Sequence, residues 1–147
     1  MKKVVKFGGS SLASAQQFRK VGDIVRAEED RKYVIPSAPG KRFNGDTKVT
    51  DMLYDCYQSA EEGEDFKGKL KNIKARYEEI ITGLGLDLSL DSEFKTIEEN
   101  FKKHAGDNYA ASRGEYLNGI IMADYLGYAF IDAAKVIFFK KMVLGMK

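Results

Sequence analysis

The sequence predicts an α/β chain built on a mainly parallel sheet. Three observations carry that prediction. A strand, a helix and a second strand fall between Lys2 and Pro36, the size of one βαβ unit. A loop of small and rigid residues follows the second strand at once, where open α/β sheets place their ligands. The stretch from Lys48 to Leu126 then shows four apolar patterns of helical period.

Composition bounds the rest. The chain has 147 residues, enough for one compact domain with a sizeable core. A hydrophobic content of 44% and a charged content of 31% are those of an ordinary globular protein. The formal net charge of +2 is too small to argue for nucleic acid or an anionic membrane as a partner. Cys56 is the only cysteine, which excludes an intramolecular disulfide and suits a reducing compartment. Its place on an apolar helical stripe reads as a buried thiol rather than a nucleophile. Met1-Lys-Lys is followed by only two apolar residues before Lys6, so no signal peptide is read. No apolar run reaches the roughly 20 residues of a membrane span, and the expected location is the cytoplasm. His104, the single histidine, reads as part of a solvated last helical turn, and no metal ligand set is expected.

The elements follow in order. Lys2-Lys-Val-Val-Lys-Phe7 reads as the first strand. The first helix is expected over Ser14 to Glu28, opened by a Ser14/Gln17 capping box, with Phe18, Val21 and Val25 on its apolar face. Asp30-Arg-Lys is a polar turn and Tyr33-Val-Ile35 the second strand. Pro36 and Pro39, the only prolines, open the loop Pro36 to Asp46. A second helix is expected over Lys48 to Ala60. Phe66, Leu70, Ile73, Tyr77, Ile81 and Leu84 mark a long helix, broken by Gly83-Leu-Gly. Phe94, Ile97 and Phe101 mark a shorter one with Asp91 at its N-cap. Residues 61–105 thus read as a helical hairpin inserted between sheet elements. Tyr109 to Leu126 is a helix apolar nearly all round, with Gly127 at its C′ position. Tyr128 to Asp132 reads as a third strand, and Val136 to Phe139 as a fourth strand or a short helix.

Two constellations could carry chemistry. Lys6-Phe-Gly-Gly-Ser-Ser11 joins the first strand to a helix. Amides freed by Gly8 and Gly9, the hydroxyls of Ser10 and Ser11, and the Lys6 ammonium would make a phosphate cradle, although Gly-Gly after a strand is also a plain tight turn. The pattern is neither a P-loop nor a dinucleotide fingerprint. Lys6 lies in an otherwise apolar strand, where burial without an anion is costly. Ser112-Arg-Gly-Glu115 is the second. It reads equally as a capping box or as a functional pair, since a Glu inside an apolar helix needs a donor or cationic partner.

Taken together, Lys6-Phe-Gly-Gly-Ser-Ser, Pro36-Ser-Ala-Pro-Gly-Lys-Arg, Lys48-Val-Thr-Asp-Met-Leu and Ser112-Arg-Gly-Glu, with Gly127-Tyr-Ala-Phe-Ile-Asp-Ala-Ala134 after them, resemble the N-terminal half of an aspartate kinase catalytic domain, of the amino-acid kinase superfamily. The resemblance runs from residue 3 to about residue 139. It implies a three-layer αβα fold with a mainly parallel sheet, of which this chain would hold the first half. It implies that Lys6 contacts the transferring phosphoryl group and that Gly8, Gly9, Ser10 and Ser11 cradle the ATP phosphates. It implies that Ser37 and Ala38 line the amino-acid pocket, that Thr50 hydrogen-bonds the substrate aspartate, that Glu115 takes its ammonium group, and that Arg113 stands beside it as a structural or orienting charge. The implied reaction is attack of the aspartate side-chain carboxylate on the γ-phosphate of Mg-ATP, the step that opens lysine, threonine and methionine biosynthesis.

The resemblance also has departures. The nucleotide-binding second half and the ACT regulatory domains have no counterpart here. Lys140 to Lys147 does not resemble the family's continuation, as a truncation or a reading-frame change after about Phe139 would explain. The expectation is therefore feeble or absent turnover from this chain alone, with a homo-oligomer or a complementary kinase fragment as partner. The alternatives are a non-catalytic binding or assembly fragment, or another amino-acid kinase of the glutamate 5-kinase kind.

Overall fold

The computed structural model describes residues 1–132. Its elements are β1 (Lys3–Phe7), a 3-10 turn (Gly9–Leu12), α1 (Ala15–Arg26), β2 (Arg31–Pro36), α2 (Val49–Glu61), α3 (Lys67–Gly83), α4 (Asp91–Lys102) and α5 (Asp107–Leu126). The fold is α/β, with a small parallel sheet and five helices, as expected.

β1 and β2 pair in parallel, with Val5 opposite Val34, Lys6 opposite Ile35 and Phe7 opposite Pro36. Successive side chains of a strand point to opposite faces, so the pair sorts its residues cleanly. Val5, Phe7 and Val34 pack on the helical core. Val4, Lys6, Tyr33 and Ile35 take the other face, which is open among the described residues: Val4 is 61% exposed, Tyr33 49% and Ile35 46%. All five helices therefore lie to one side of the sheet. An uncovered apolar face is what half of a layered parallel sheet leaves behind.

α1 opens with Ser14 at its N-cap, Ser14 Oγ accepting a hydrogen bond from the Gln17 amide at 3.3 Å, which is the serine half of the expected capping box. Its buried stripe of Phe18, Val21 and Val25 is the predicted one. α2 and α3 keep their predicted spans to within two residues. Each helix contributes at least one fully or almost fully buried apolar side chain to a single core, among them Leu53, Ile73, Phe101 and Leu117. Phe101 of α4 meets the Tyr57 ring of α2 edge-on, with centroids 5.1 Å apart. α3 and α4, expected as an inserted hairpin, pack on each other and on α2 and α5, and their apolar residues belong to that same core. Among the described residues, no helix is long and apolar enough to cross a membrane.

Three expectations change. Asp91 is the first residue of α4 and not its cap, which falls on Leu90. The Asp91 carboxylate pairs with Lys74 of α3 at 2.5 Å instead, and that pairing holds it below the usual carboxylate range. Tyr128 to Asp132 forms no strand. Gly127 ends α5 in the left-handed conformation at φ 73°, and the Tyr128 amide donates back to the Ala123 carbonyl. The Phe130 ring then folds onto Tyr116, 5.6 Å between centroids, so the segment is held by side chains along α5 rather than by a ladder. Ser112 lies inside α5, and its hydroxyl donates to the Tyr109 carbonyl at 2.7 Å, so the capping reading of Ser112-Arg-Gly-Glu does not hold. The element expected at 136–139 lies outside the described residues.

Candidate functional site

The site is built around the loop that leaves β2. Ser37 continues the strand register by donating its amide to the Phe7 carbonyl at 3.1 Å. Three residues later, at Gly40, the backbone crosses the glycine turn that leaves β1. The Gly40 amide donates to the Gly9 carbonyl at 2.8 Å, and a Cβ on Gly40 would fall 2.6 Å from the Gly9 carbonyl carbon. Only glycine allows that approach. The two loops thus leave the sheet on the same side and touch through their backbones.

The same short loop reaches the other two motifs. The Pro39 carbonyl accepts the Val49 amide at 3.0 Å, which ties the first turn of α2, and with it Thr50, to the loop. Ala38 is buried against α5, where a Cβ on Gly114 would meet the Ala38 Cβ at 2.7 Å. Asn118, fully buried one turn further along α5, donates its side-chain amide to the Ser37 carbonyl at 2.7 Å. Its Oδ1 is buried without a partner. The four sequence motifs that stand far apart in the chain are joined at residues 37–40.

The individual side chains take different positions. Gly8 is extended at φ −77°, with nothing near the place of a Cβ, so the turn presents an open surface there. Ser10 is exposed and Ser11 is half-buried, with its amide donating to the Gly8 carbonyl at 3.1 Å. Lys6, expected in an apolar strand where its burial would be costly, is exposed, because β1 has a single neighbour strand among the described residues and Lys6 lies on the open face. Thr50 and Ser37 are half-buried. Glu115, expected to be buried, is exposed: it follows Gly114 by about 100° around the helix and so leaves the buried stripe. Arg113 turns to the opposite flank of α5. Its guanidinium lies between the rings of Tyr109 and Tyr116, at 4.7 and 4.3 Å, in a cleft of about 120 Å³ shared with Ser92, Glu93 and Thr96 of α4. Among the described residues, no hydrogen bond or ion pair joins it to Glu115 or to the loop.

Arg76 is the residue that sequence reading passed over. It is 5% exposed on α3, and its guanidinium donates to the Gly40 carbonyl and to the Thr47 carbonyl, each at 2.8 Å. Asp46 lies 3.7 Å away and binds Arg42 more closely, at 2.8 Å. The Arg42 guanidinium holds the Asp46 carboxyl far below its ordinary range. Burial lowers Arg76 from the usual guanidinium value, yet arginine remains charged. The signal was present: an arginine between Ile73 and Tyr77 on an otherwise apolar stripe. Asn118, polar within the apolar run from Leu117 to Met122, was a similar signal.

A parallel βαβ unit whose two carboxyl-end loops meet at glycines, with a helix N-terminus tied to one of them, defines an α/β chain with its converging loops at one end of the sheet, where open α/β sheets place ligands. The comparisons narrow the class. No protein-family model matches the chain. It is 36% identical over 140 residues to aspartokinase 3 of Bacillus subtilis, covering 91% of this chain and 31% of that protein. It is 29% identical over 132 residues to the aspartokinase of Chlamydia trachomatis, covering 83% and 27%. The crystal structure of Clostridium acetobutylicum aspartate kinase superposes with a TM-score of 0.83 at 48% identity, over 87% of this chain and 29% of that one. E. coli aspartokinase III in complex with aspartate and ADP shares the fold, with a TM-score of 0.67 at 24% identity over 86% and 29%. By sequence and by fold the chain is similar to aspartate kinases over most of its own length. It spans a little under a third of the length of these relatives.

Proposed function

We propose that this chain carries the phosphate-cradling and aspartate-binding part of an aspartate kinase site. The reaction would be transfer of the γ-phosphoryl group of ATP to the side-chain carboxylate of L-aspartate, giving 4-phospho-L-aspartate and ADP, at the head of lysine, threonine and methionine biosynthesis. The observation that carries this reading is the junction at residues 37–40, where the glycine turn, α2 and α5 meet. In this reading the exposed Lys6 ammonium, the open turn at Gly8 and Gly9, and the Ser10 and Ser11 hydroxyls receive phosphate oxygens. Ser37, Ala38 and Thr50 line the amino-acid side, and Glu115 meets the substrate ammonium. Arg113, held between two tyrosines on the α4 flank, is given a structural part.

Such a site works by positioning and charge neutralisation, because phosphoryl transfer asks little covalent chemistry of the protein. Lys6 supplies a point charge beside the transferring group, and amides at a turn supply fixed dipoles. Among the described residues, no three His, Cys, Asp or Glu side chains are grouped to hold a metal ion. Mg²⁺ enters this reading as a companion of the nucleotide's phosphates, to which it would add further charge neutralisation.

Calorimetry on the 147-residue chain tests the amino-acid side directly. Aspartate binding that is lost in Glu115→Ala, with no response to glutamate or N-acetylglutamate, is the expected result. Equal binding of glutamate, or of neither amino acid, would overturn the assignment. Coupled ADP release with aspartate and Mg-ATP measures whether the chain also turns over.

A further inference from the structure

We infer that Arg76 is a positioning residue for the site: its buried guanidinium sets the place of the 40–47 loop, and through it the separation of the glycine turn from the N-terminus of α2. The inference rests on the reading of these two elements as the phosphate and aspartate sides of one site.

The physical argument starts from cost. An arginine is almost never buried without partners, and apolar residues of similar volume usually pack a core at least as well as a buried charge. Arg76 occupies a core-facing position on α3 beside Ile73 and Tyr77, where a leucine or methionine would serve packing alone. What the guanidinium adds is directional. One nitrogen donates to the Gly40 carbonyl and another to the Thr47 carbonyl, the two ends of the loop, each at 2.8 Å. A planar fork with fixed donors holds two carbonyls at a set spacing, which a flexible lysine does not.

Both loop ends matter. Gly40 is packed backbone to backbone against Gly9 and Ser10, so a shift of its carbonyl is transmitted to the glycine turn. Thr47 directly precedes Lys48, the N-cap of α2, and the Val49 amide is already tied to the Pro39 carbonyl. Removing the guanidinium leaves the carbonyl of the buried Gly40, and that of Thr47, without their donor. It also leaves Asp46 with Arg42 as its remaining cationic neighbour. The loop then has reason to rearrange while the apolar core of α3 stays in place.

Amide hydrogen exchange on the full chain, with aspartate calorimetry beside it, tests this in Arg76→Met and Arg76→Lys. Tyr77→Phe serves as a control, since it removes a neighbouring buried hydrogen bond to the Gly114 carbonyl. In Arg76→Met the Gly40 and Val49 amides should exchange about tenfold faster or more, the scale of losing charge-assisted hydrogen bonds, while Leu53 and Ile121 keep their protection. Arg76→Lys should retain core protection yet recover only part of the Gly40 protection and part of the aspartate affinity. Protection lost evenly through the core in both variants would reduce Arg76 to a general stabiliser and overturn the inference. Unchanged Gly40 and Val49 amides, or the same local loosening in Tyr77→Phe, would overturn it too. If the parent chain binds no aspartate, the functional reading fails, and the exchange data still decide whether Arg76 sets the loop.

Discussion

Gly40→Ala probes the crossing of the two loops most directly. A Cβ at this position would stand 2.6 Å from the Gly9 carbonyl carbon, 2.7 Å from the Ser10 nitrogen and 2.9 Å from the Gly9 oxygen. Favourable contact between non-bonded carbons begins near 3.5 Å, so the loops must part by roughly 1 Å. All three atoms belong to the backbone, so no side-chain rotation relieves the clash. Overpacking of this kind costs about 1–3 kcal/mol. Parting the loops also stretches the 2.8 Å bond from the Gly40 amide to the Gly9 carbonyl, worth about 1 kcal/mol net. Against this stands a gain of about 0.4–1 kcal/mol from restricting the unfolded chain. The balance is a loss of about 1–3 kcal/mol. Urea unfolding followed by circular dichroism reads it as a fall in midpoint on the order of 1 M, given usual slopes for a chain this size. Gly8→Ala is the matched control, because Gly8 is extended and its Cβ would touch nothing. A Gly40→Ala midpoint equal to that of Gly8→Ala would refute the close crossing and the site built on it.

Three further outcomes are expected. Gly114→Ala would push a Cβ to 2.7 Å from the Ala38 Cβ and 3.3 Å from Leu53; it should cost about 1–2 kcal/mol in urea unfolding and weaken aspartate binding by calorimetry. Burial pushes the fully buried Cys56 thiol up to about 12, so Ellman's reagent at pH 8 should label it in urea and not in the folded chain; fast labelling of folded protein would contradict the placement. The Asp46 carboxyl, held down chiefly by Arg42, has an unfolded value near 3.8. A depressed folded value contributes stability that is present above about pH 4 and lost as pH falls through the folded value. Stability should therefore fall more steeply between about pH 4 and pH 2 in the parent chain than in Asp46→Asn, as read by urea midpoints.

Much of the fold was legible because local rules and tertiary packing agree over most of this chain. The stripe of Phe18, Val21 and Val25 predicted α1, and Ser14 caps it as a serine before such a stripe should. The prolines and small residues after Ile35 predicted the loop, and the loop is the junction of the site. The errors share a cause. Tyr128 to Asp132 has strand-forming residues, but a strand exists only through a ladder partner, and Phe130 packs on Tyr116 instead. Asp91 has the chemistry of a cap, yet Lys74 on another helix claims its carboxylate. Glu115 sits in an apolar run, and only the helix phase shows that it leaves the buried stripe.

The sequence by itself determined the βαβ start, the helix spans, the glycine turn and the resemblance to aspartate kinases, because each is written in residue type and short spacing. Tertiary structure decided which of these features touch. The crossing of Gly40 over Gly9, the packing of Gly114 on Ala38 and the grip of Asn118 and Arg76 on the loop join residues between 29 and 81 positions apart. Short-range periodicity carries no information about such pairs. They are set by where buried polar groups find partners once the helices have packed, and a buried guanidinium or amide discloses its role only by the carbonyl it reaches.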